Sequence, residues 1–322
     1  MRSRFICVAA LTTCLLSIHR AAAYPVGPAL SLTELVKQSD LICKVVAISS
    51  ELAKQSPYRP VQGFEVLSTR LDVVEVYKGA VEGKKLREIS FVHYAPVANG
   101  MGRMYMPQNY ELEAGRAYIL FAKKSEKEGV FHQLWENHKT KEDQGLVRAA
   151  DDLPQGKRPI REVLWRELTK SLKSTHREDR IYAIRQLDEM GGGGYDKLKH
   201  FDRIATLQTL APLAHSQDEE IATLVIRAIG SRNPYLDPGG APNWLASIGK
   251  GHLPGFARWE VPKRVPASDF WKMLAEIADS DRPPTVRALA IRALGLTREP
   301  ELKGYVARWI KDPDPLVCQH AS

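Results

Sequence analysis

His132, Glu136 and His138 come closest, by type and spacing, to a reactive grouping. Two imidazoles flanking a carboxylate could ligate a divalent metal and activate a bound water, the chemistry of a metal-dependent hydrolase. The spacing argues against it. A helical zinc site places its histidines at i and i+4 so that both leave one face, whereas His132 and His138 straddle the end of the apolar run Val130 to Trp135, which reads as a strand. His93, His176, His200, His215 and His252 are scattered without neighbouring ligands. Gly191 to Gly194 lacks the strand, Lys and Ser/Thr of a phosphate loop and follows a helix that must end near Met190, so it reads as a connection. There is no Gly-x-Ser-x-Gly elbow, and Cys43 stands inside an apolar strand, where a thiol is a small hydrophobe. Asp151-Asp152 and Asp218-Glu219-Glu220 read as helix-start acids that complement the dipole. The expectation is a chain with no catalytic residue, no cofactor and no metal. A metal-dependent envelope enzyme, or enzyme subunit, with its site near His132, Glu136 and His138 is the alternative.

The elements that would position any such site come from the rest of the chain. Its 322 residues are 44% hydrophobic and 26% charged, a globular composition long enough for about two domains. Of the formal net charge of +8, Arg2, Arg4 and Arg20 belong to a leader, residues 1–23, with an apolar run from Phe5 to Leu16 and the small residues Ala21-Ala22-Ala23. That pattern predicts a secretory signal cleaved before Tyr24, with a lipid anchor at Cys14 as the alternative. No later run reaches the roughly 20 apolar residues of a membrane span. Elsewhere basic and acidic residues alternate, as in Glu162, Arg166, Glu167 and Lys170, which reads as solvated helix faces and not as the one-sided basic surface of a nucleic-acid binder. The exported chain would keep only Cys43 and Cys318, which is no disulfide framework and suits the bacterial envelope, periplasmic or secreted.

Between residues 24 and 150 the pattern is β-rich. Ser31-Leu32-Thr33-Glu34 forms a capping box for a short helix to Gln38. Runs at Leu41 to Ser49, Arg70 to Tyr77, Leu86 to His93, Ala117 to Ala122 and Val130 to Trp135 are rich in Val, Ile, Leu, Phe and Tyr, with alternation in Leu71, Val73, Glu75, Tyr77. Five short antiparallel strands and one helix predict a small, closed or nearly closed barrel. The segments SLTELVKQSDLICKVVAI, DVVEVYKGAVEGKKLREISF and GRAYILFAKK resemble an exported bacterial domain of the netrin-like, tissue-inhibitor-of-metalloproteinase-like OB barrel class. The resemblance implies protein or polysaccharide contact. Animal inhibitors of that class chelate a protease zinc through a mature amino-terminal cysteine; Tyr24 would stand there in this chain, so that mechanism does not carry over.

From residue 159 onward the apolar period becomes helical, with Ile160, Val163, Leu164, Leu168 and Leu172 on one stripe. A segment then recurs: REDRIYAIRQLDEMG, DEEIATLVIRAIGSR, PPTVRALAIRALGLT and the shorter DPLVCQHAS. Ile184-Arg185, Ile226-Arg227 and Ile291-Arg292 share a column, each copy follows another apolar helix, and DPDPLV supplies the turn before the last. These residues resemble HEAT repeats, which implies an all-α solenoid over 159–322 that presents a surface to a protein partner. The last copy stops at Ser322 before its helix would close, which leaves a longer array open. The two modules are expected to separate between about Lys139 and Gln155. Within the array, residues 231–267 are a Pro- and Gly-rich insert carrying Trp244, Phe256, Arg258 and Trp259. These are candidates for partner contact, or, alternatively, plugs for the gap beside the neighbouring helices.

Overall fold

A computed structural model describes residues 32–54, 56–80, 87–97, 107–134, 145–191, 201–230, 270–295 and 302–321. The leader, Glu136, His138 and the whole insert with Trp244, Phe256, Arg258 and Trp259 lie outside the described residues. The chain is α+β in separate parts, a six-stranded sheet followed by helices.

Helix α1, Leu32–Gln38, leads into strand β1, Leu41–Leu52. Its last carbonyls are satisfied from outside, by the Ser39 hydroxyl on Leu35 and by the Lys78 ammonium, which donates to Val36 and Ser39. The sheet continues with β2, Phe64–Lys78, β3, Glu88–Pro96, β4, Ala117–Lys124, β5, Val130–His132, and β6, Leu146–Arg148. Neighbours run β1-β2-β3-β5-β4-β6, and β4 also pairs with β1, so the first five strands nearly close a ring. β1 can serve both β2 and β4 because three register shifts against β2 bend it.

One expectation is corrected here. The barrel is not purely antiparallel: β3 and β5 run parallel, with Ser90, Phe91 and Val92 opposite Val130, Phe131 and His132. The reason is parity, since a ring with an odd number of strands cannot alternate direction at every seam. The parallel contact falls where β5, the return strand of the β4 hairpin, slots in beside β3. β6 is an additional strand, lying within the stretch expected to separate the modules and pairing Leu146, Val147 and Arg148 with Leu120, Ile119 and Tyr118.

Strand alternation sets up the two packed faces. Leu41, Cys43, Val45 and Ala47 of β1 and Tyr118, Leu120 and Ala122 of β4 fill the barrel with Leu71, Ile89, Phe91 and Phe131. The intervening Ile42, Ile119 and Phe121 face the other way and join a second core that runs through the helices. β1 and β4 are therefore covered on both sides, which explains their nearly unbroken apolar runs.

The helices are α2, Ile160–Ser171, α3, Arg177–Met190, α4, Arg203–Leu210, α5, Glu219–Gly230, α6, Trp271–Ala278, α7, Pro284–Gly295, α8, Lys303–Trp309, and α9, Pro315–Ala321. α4 tightens into a 3-10 turn over Ala211–His215, where Pro212 has no amide to continue the α ladder. Helices pair as α2 with α3, α4 and its 3-10 turn with α5, α6 with α7, and α8 with α9. The second member of each pair packs on the second member of the next, so α3, α5, α7 and α9 form a continuous stack. The long interval between α5 and α6 does not interrupt it: a Cβ added at Gly230 would lie 2.8 Å from the Ala293 Cβ, and Arg282 donates to the carbonyls of His215 and Ser216.

Candidate functional site

α2 lies across the outer face of β1. Val163, Leu164 and Leu168 enter the shared core, and so does Glu167, which has no exposed surface. Its partner is Lys44, whose even position in β1 points away from the barrel interior and under α2. The Lys44 ammonium donates to Glu167 Oε1 at 2.8 Å, to Asp151 Oδ1 at 2.9 Å and to the Leu153 carbonyl at 2.7 Å. The Glu167 carboxylate also accepts from the Ala150 amide at 2.7 Å and from Gln155 Nε2 at 2.8 Å. Each of the three ammonium protons has an acceptor, so Lys44 has no free proton or lone pair for chemistry. Burial and the nearby charges of Glu75 and Glu167 push the Tyr77 hydroxyl, beside this cluster, well above its ordinary ionisation range.

These contacts correct two sequence readings. Glu167 is not on a solvated helix face, and Asp151 does not begin a helix, since α2 starts at Ile160 and Asp151 joins Lys44 to Lys170. Asp218 does what was expected of it, accepting from the amides of Glu220 and Ile221 at the start of α5, and it also meets Arg177 of α3.

Removing Glu167 inward sorts the alternating charges of α2. Arg166, Lys170 and Lys173 remain on the exposed side and line an open groove of about 680 Å³ with Gln155, Thr169 and Leu172. The opposite wall is Thr209, Pro212 and Leu213, from the end of α4 and its 3-10 turn. Among the described residues no acidic side chain lines the groove. Lys170 is paired with Asp151, while Arg166 and Lys173 have no carboxylate partner among the described residues. Glu162, one turn before Arg166, is engaged by Arg158 at 3.9 Å. Sequence reasoning missed this feature because the alternation averages to neutrality along the chain; the signal available was the spacing of Arg166, Lys170 and Lys173 at helical intervals.

The histidines divide differently from the sequence expectation. His93 is not without partners. Its Nδ1 lies 2.9 Å from the Tyr94 carbonyl, which can only accept, and its Nε2 lies 2.8 Å from Thr69 Oγ1. Burial holds its pKa down at about 4, so the ring is neutral, Nδ1 carries the proton and Nε2 accepts from Thr69. The Thr69 oxygen is then free to accept from Ser50, 2.8 Å away. His93 and Thr69 have almost no exposed surface, and the chain of hydroxyls ends without a carboxylate, which is a satisfied core and not a nucleophile relay. His132 sits on β5 with Tyr58 edge-on to its ring; burial lowers its pKa, and its Nδ1 is buried with no hydrogen-bond partner among the described residues. Among the described residues no three His, Cys, Asp or Glu side chains converge as a metal would need. Cys43 is wholly buried, and desolvation pushes its thiol far above the ordinary range, as a small hydrophobe's environment requires. No described helix is long and apolar enough to cross a membrane.

No protein-family model matches the chain, and no curated protein sequence does either.

Proposed function

We propose that the chain is an exported, non-enzymatic interaction protein in which an OB-like, netrin-like barrel braces a HEAT-like helical array against a protein partner. The observation that carries this reading is the stack α3, α5, α7, α9. Ala183, Val225 and Ala290 on its first three helices have no exposure, and Ile184, Ile226 and Ile291 beside them in sequence are buried too. The column arginines turn away: Arg185 and Arg227 are exposed and Arg292 half-buried. An array in which each pair touches only its neighbours leaves long outer surfaces for a ligand, the usual use of such scaffolds. The strand order β1-β2-β3-β5-β4, closed back on a bent β1, supports the OB-like reading of the barrel. Because sheet and helices share a core, the barrel would orient the array instead of swinging freely from it.

The test is chemical cross-linking of the full chain in envelope extract, followed by identification of the adducts. The reading expects one protein adduct at fixed stoichiometry whose cross-links map to the helices. Adducts spread over the whole chain, or none, would overturn it.

A metal-dependent reading has one observation in its favour, the Nδ1 of His132, unpartnered among the described residues. Metal analysis of the purified chain separates the two: stoichiometric zinc lost on His132→Ala would establish that reading, and a metal-free chain after zinc loading and dialysis would dismiss it.

A further inference from the structure

We infer that the groove between α2 and the α4 turn receives an acidic, extended segment of the protein partner. This inference rests on the interaction reading above and names the surface and the chemistry involved. Arg166 and Lys170 project from one stripe of α2 and Lys173 from the turn that follows it, and Arg166 and Lys173 are free of carboxylates among the described residues. At the helical rise, the seven residues from Arg166 through the end of α2 to Lys173 advance about 10 Å, and three residues of a polyproline-II segment cover about the same distance at roughly 3.1 Å each and return the side chain to the same face. Two carboxylates so spaced on an extended peptide can meet both free cations, while the apolar side chains between them lie on Leu172, Pro212 and Leu213.

The shape of the groove selects among anions. A volume of about 680 Å³ whose cations, among the described residues, stand on one wall is too open to encircle a lone phosphate, which would need donors converging from several sides. Among the described residues the lining has no aromatic side chain on which a nucleic-acid base could stack. A groove is also unsuited to a flat lipid face, which is met by protruding apolar residues. A peptide strand fits the length, the charge and the apolar strip together, in the way clustered basic side chains read acidic motifs.

Long-range attraction to a chain of net charge +8 would by itself draw acidic peptides, so the experiment must separate location from charge. The probe is a fluorescein-labelled peptide with two glutamates three residues apart and leucines between them, read by anisotropy against the full chain. Its twin has both glutamates replaced by glutamine. The variants are Arg166→Glu with Lys173→Glu, and, as a charge-matched control on exposed sites at the far end of the array, Lys303→Glu in α8 with Lys311→Glu in the turn after it. The inference expects binding that weakens tenfold or more in the first variant, stays within about twofold in the control, and is lost with the glutamine twin, with all melting temperatures unchanged. Equal loss in both variants, equal binding of the twin, or no binding by the wild-type chain would overturn it. So would displacement of the peptide by an oligonucleotide or by anionic vesicles that themselves depend on Arg166 and Lys173. If the cross-linked partner from extract is still captured by the Arg166→Glu/Lys173→Glu chain, the groove is removed as its site while the interaction reading stands.

Discussion

The Lys44 ammonium and the Glu167 carboxylate lie 2.8 Å apart with both side chains fully buried, one on the barrel wall and the other on the first helix packed against it. Two charges withdrawn from water repay desolvation only when every donor and acceptor is matched. Here Asp151, Leu153, Ala150 and Gln155 complete the matching.

Breaking that pair should therefore cost more than any surface ion pair in the chain. Glu167→Ala is expected to destabilise by about 3–5 kcal/mol, because it leaves a buried ammonium short of an acceptor and strands the Ala150 amide. Lys44→Met combined with Glu167→Leu should recover most of that loss by replacing charge with packed apolar volume. Urea unfolding measures both; a loss below about 1 kcal/mol in the single variant would show that water enters the cluster.

His93 predicts a pH dependence whose sign is fixed by its environment. Its folded pKa, about 4, lies below the ordinary 6.5, so the unfolded chain binds the extra proton first as pH falls. The stability it contributes is complete above pH 6.5 and is lost as pH drops towards 4, at up to about 1.4 kcal/mol per pH unit. His132, also lowered by burial, adds in the same direction. Replacing His93 by Gln should flatten the urea-derived stability profile between pH 6.5 and 4. An unchanged slope would mean that carboxylates carry all of it.

How much of this was legible in the sequence depends on the range over which each feature is encoded. The helices carrying Ile184-Arg185, Ile226-Arg227 and Ile291-Arg292 were visible from their recurring apolar pattern, and the structure buries each isoleucine. The strands of the barrel were visible from alternation and β-branching. β6 was not, since Leu146, Val147 and Arg148 form too short a run to show a period. The parallel β3 and β5 seam was hidden because strand direction is set by ring closure and not by local residues. Lys44 in the apolar run Leu41 to Ala47 was a signal that could have been read: an outward position on a strand later covered by a helix demands a carboxylate, and Glu167 supplies it.

Tyr182 of α3 reaches the outer edge of β6. Its hydroxyl accepts from the Arg148 amide at 3.1 Å, and the Arg148 guanidinium lies over its ring, 5.1 Å from the centroid. Tyr182→Phe keeps the ring contact and removes the acceptor. Hydrogen exchange at the Arg148 amide should quicken by about fivefold, corresponding to the roughly 1 kcal/mol of one net hydrogen bond, while the Phe121 amide, bonded to Gly145 on the paired side of the strand, stays protected. Equal quickening of both would mean that β6 opens as a unit without help from α3.

The last prediction concerns whether the stack is continuous across the long interval between α5 and α6. Gly230 closes α5 against α7 so tightly that an added methyl would meet the Ala293 Cβ at 2.8 Å and its Cα at 3.1 Å. Neither atom is the end of a flexible side chain, so the two helices must part to admit it. Gly230→Ala should then cost about 1–3 kcal/mol, the order expected for overpacking, even though alanine is the better helix former. Ala293→Gly in the same chain returns the space and should recover the overpacking part of the loss, leaving only the smaller propensity penalty of a helical glycine. The readout is a double-mutant cycle by urea unfolding, in which a coupling of at least about 0.5 kcal/mol places the two residues in contact. Additive effects would separate α5 from α7, and with that the continuous stack on which the interaction reading depends.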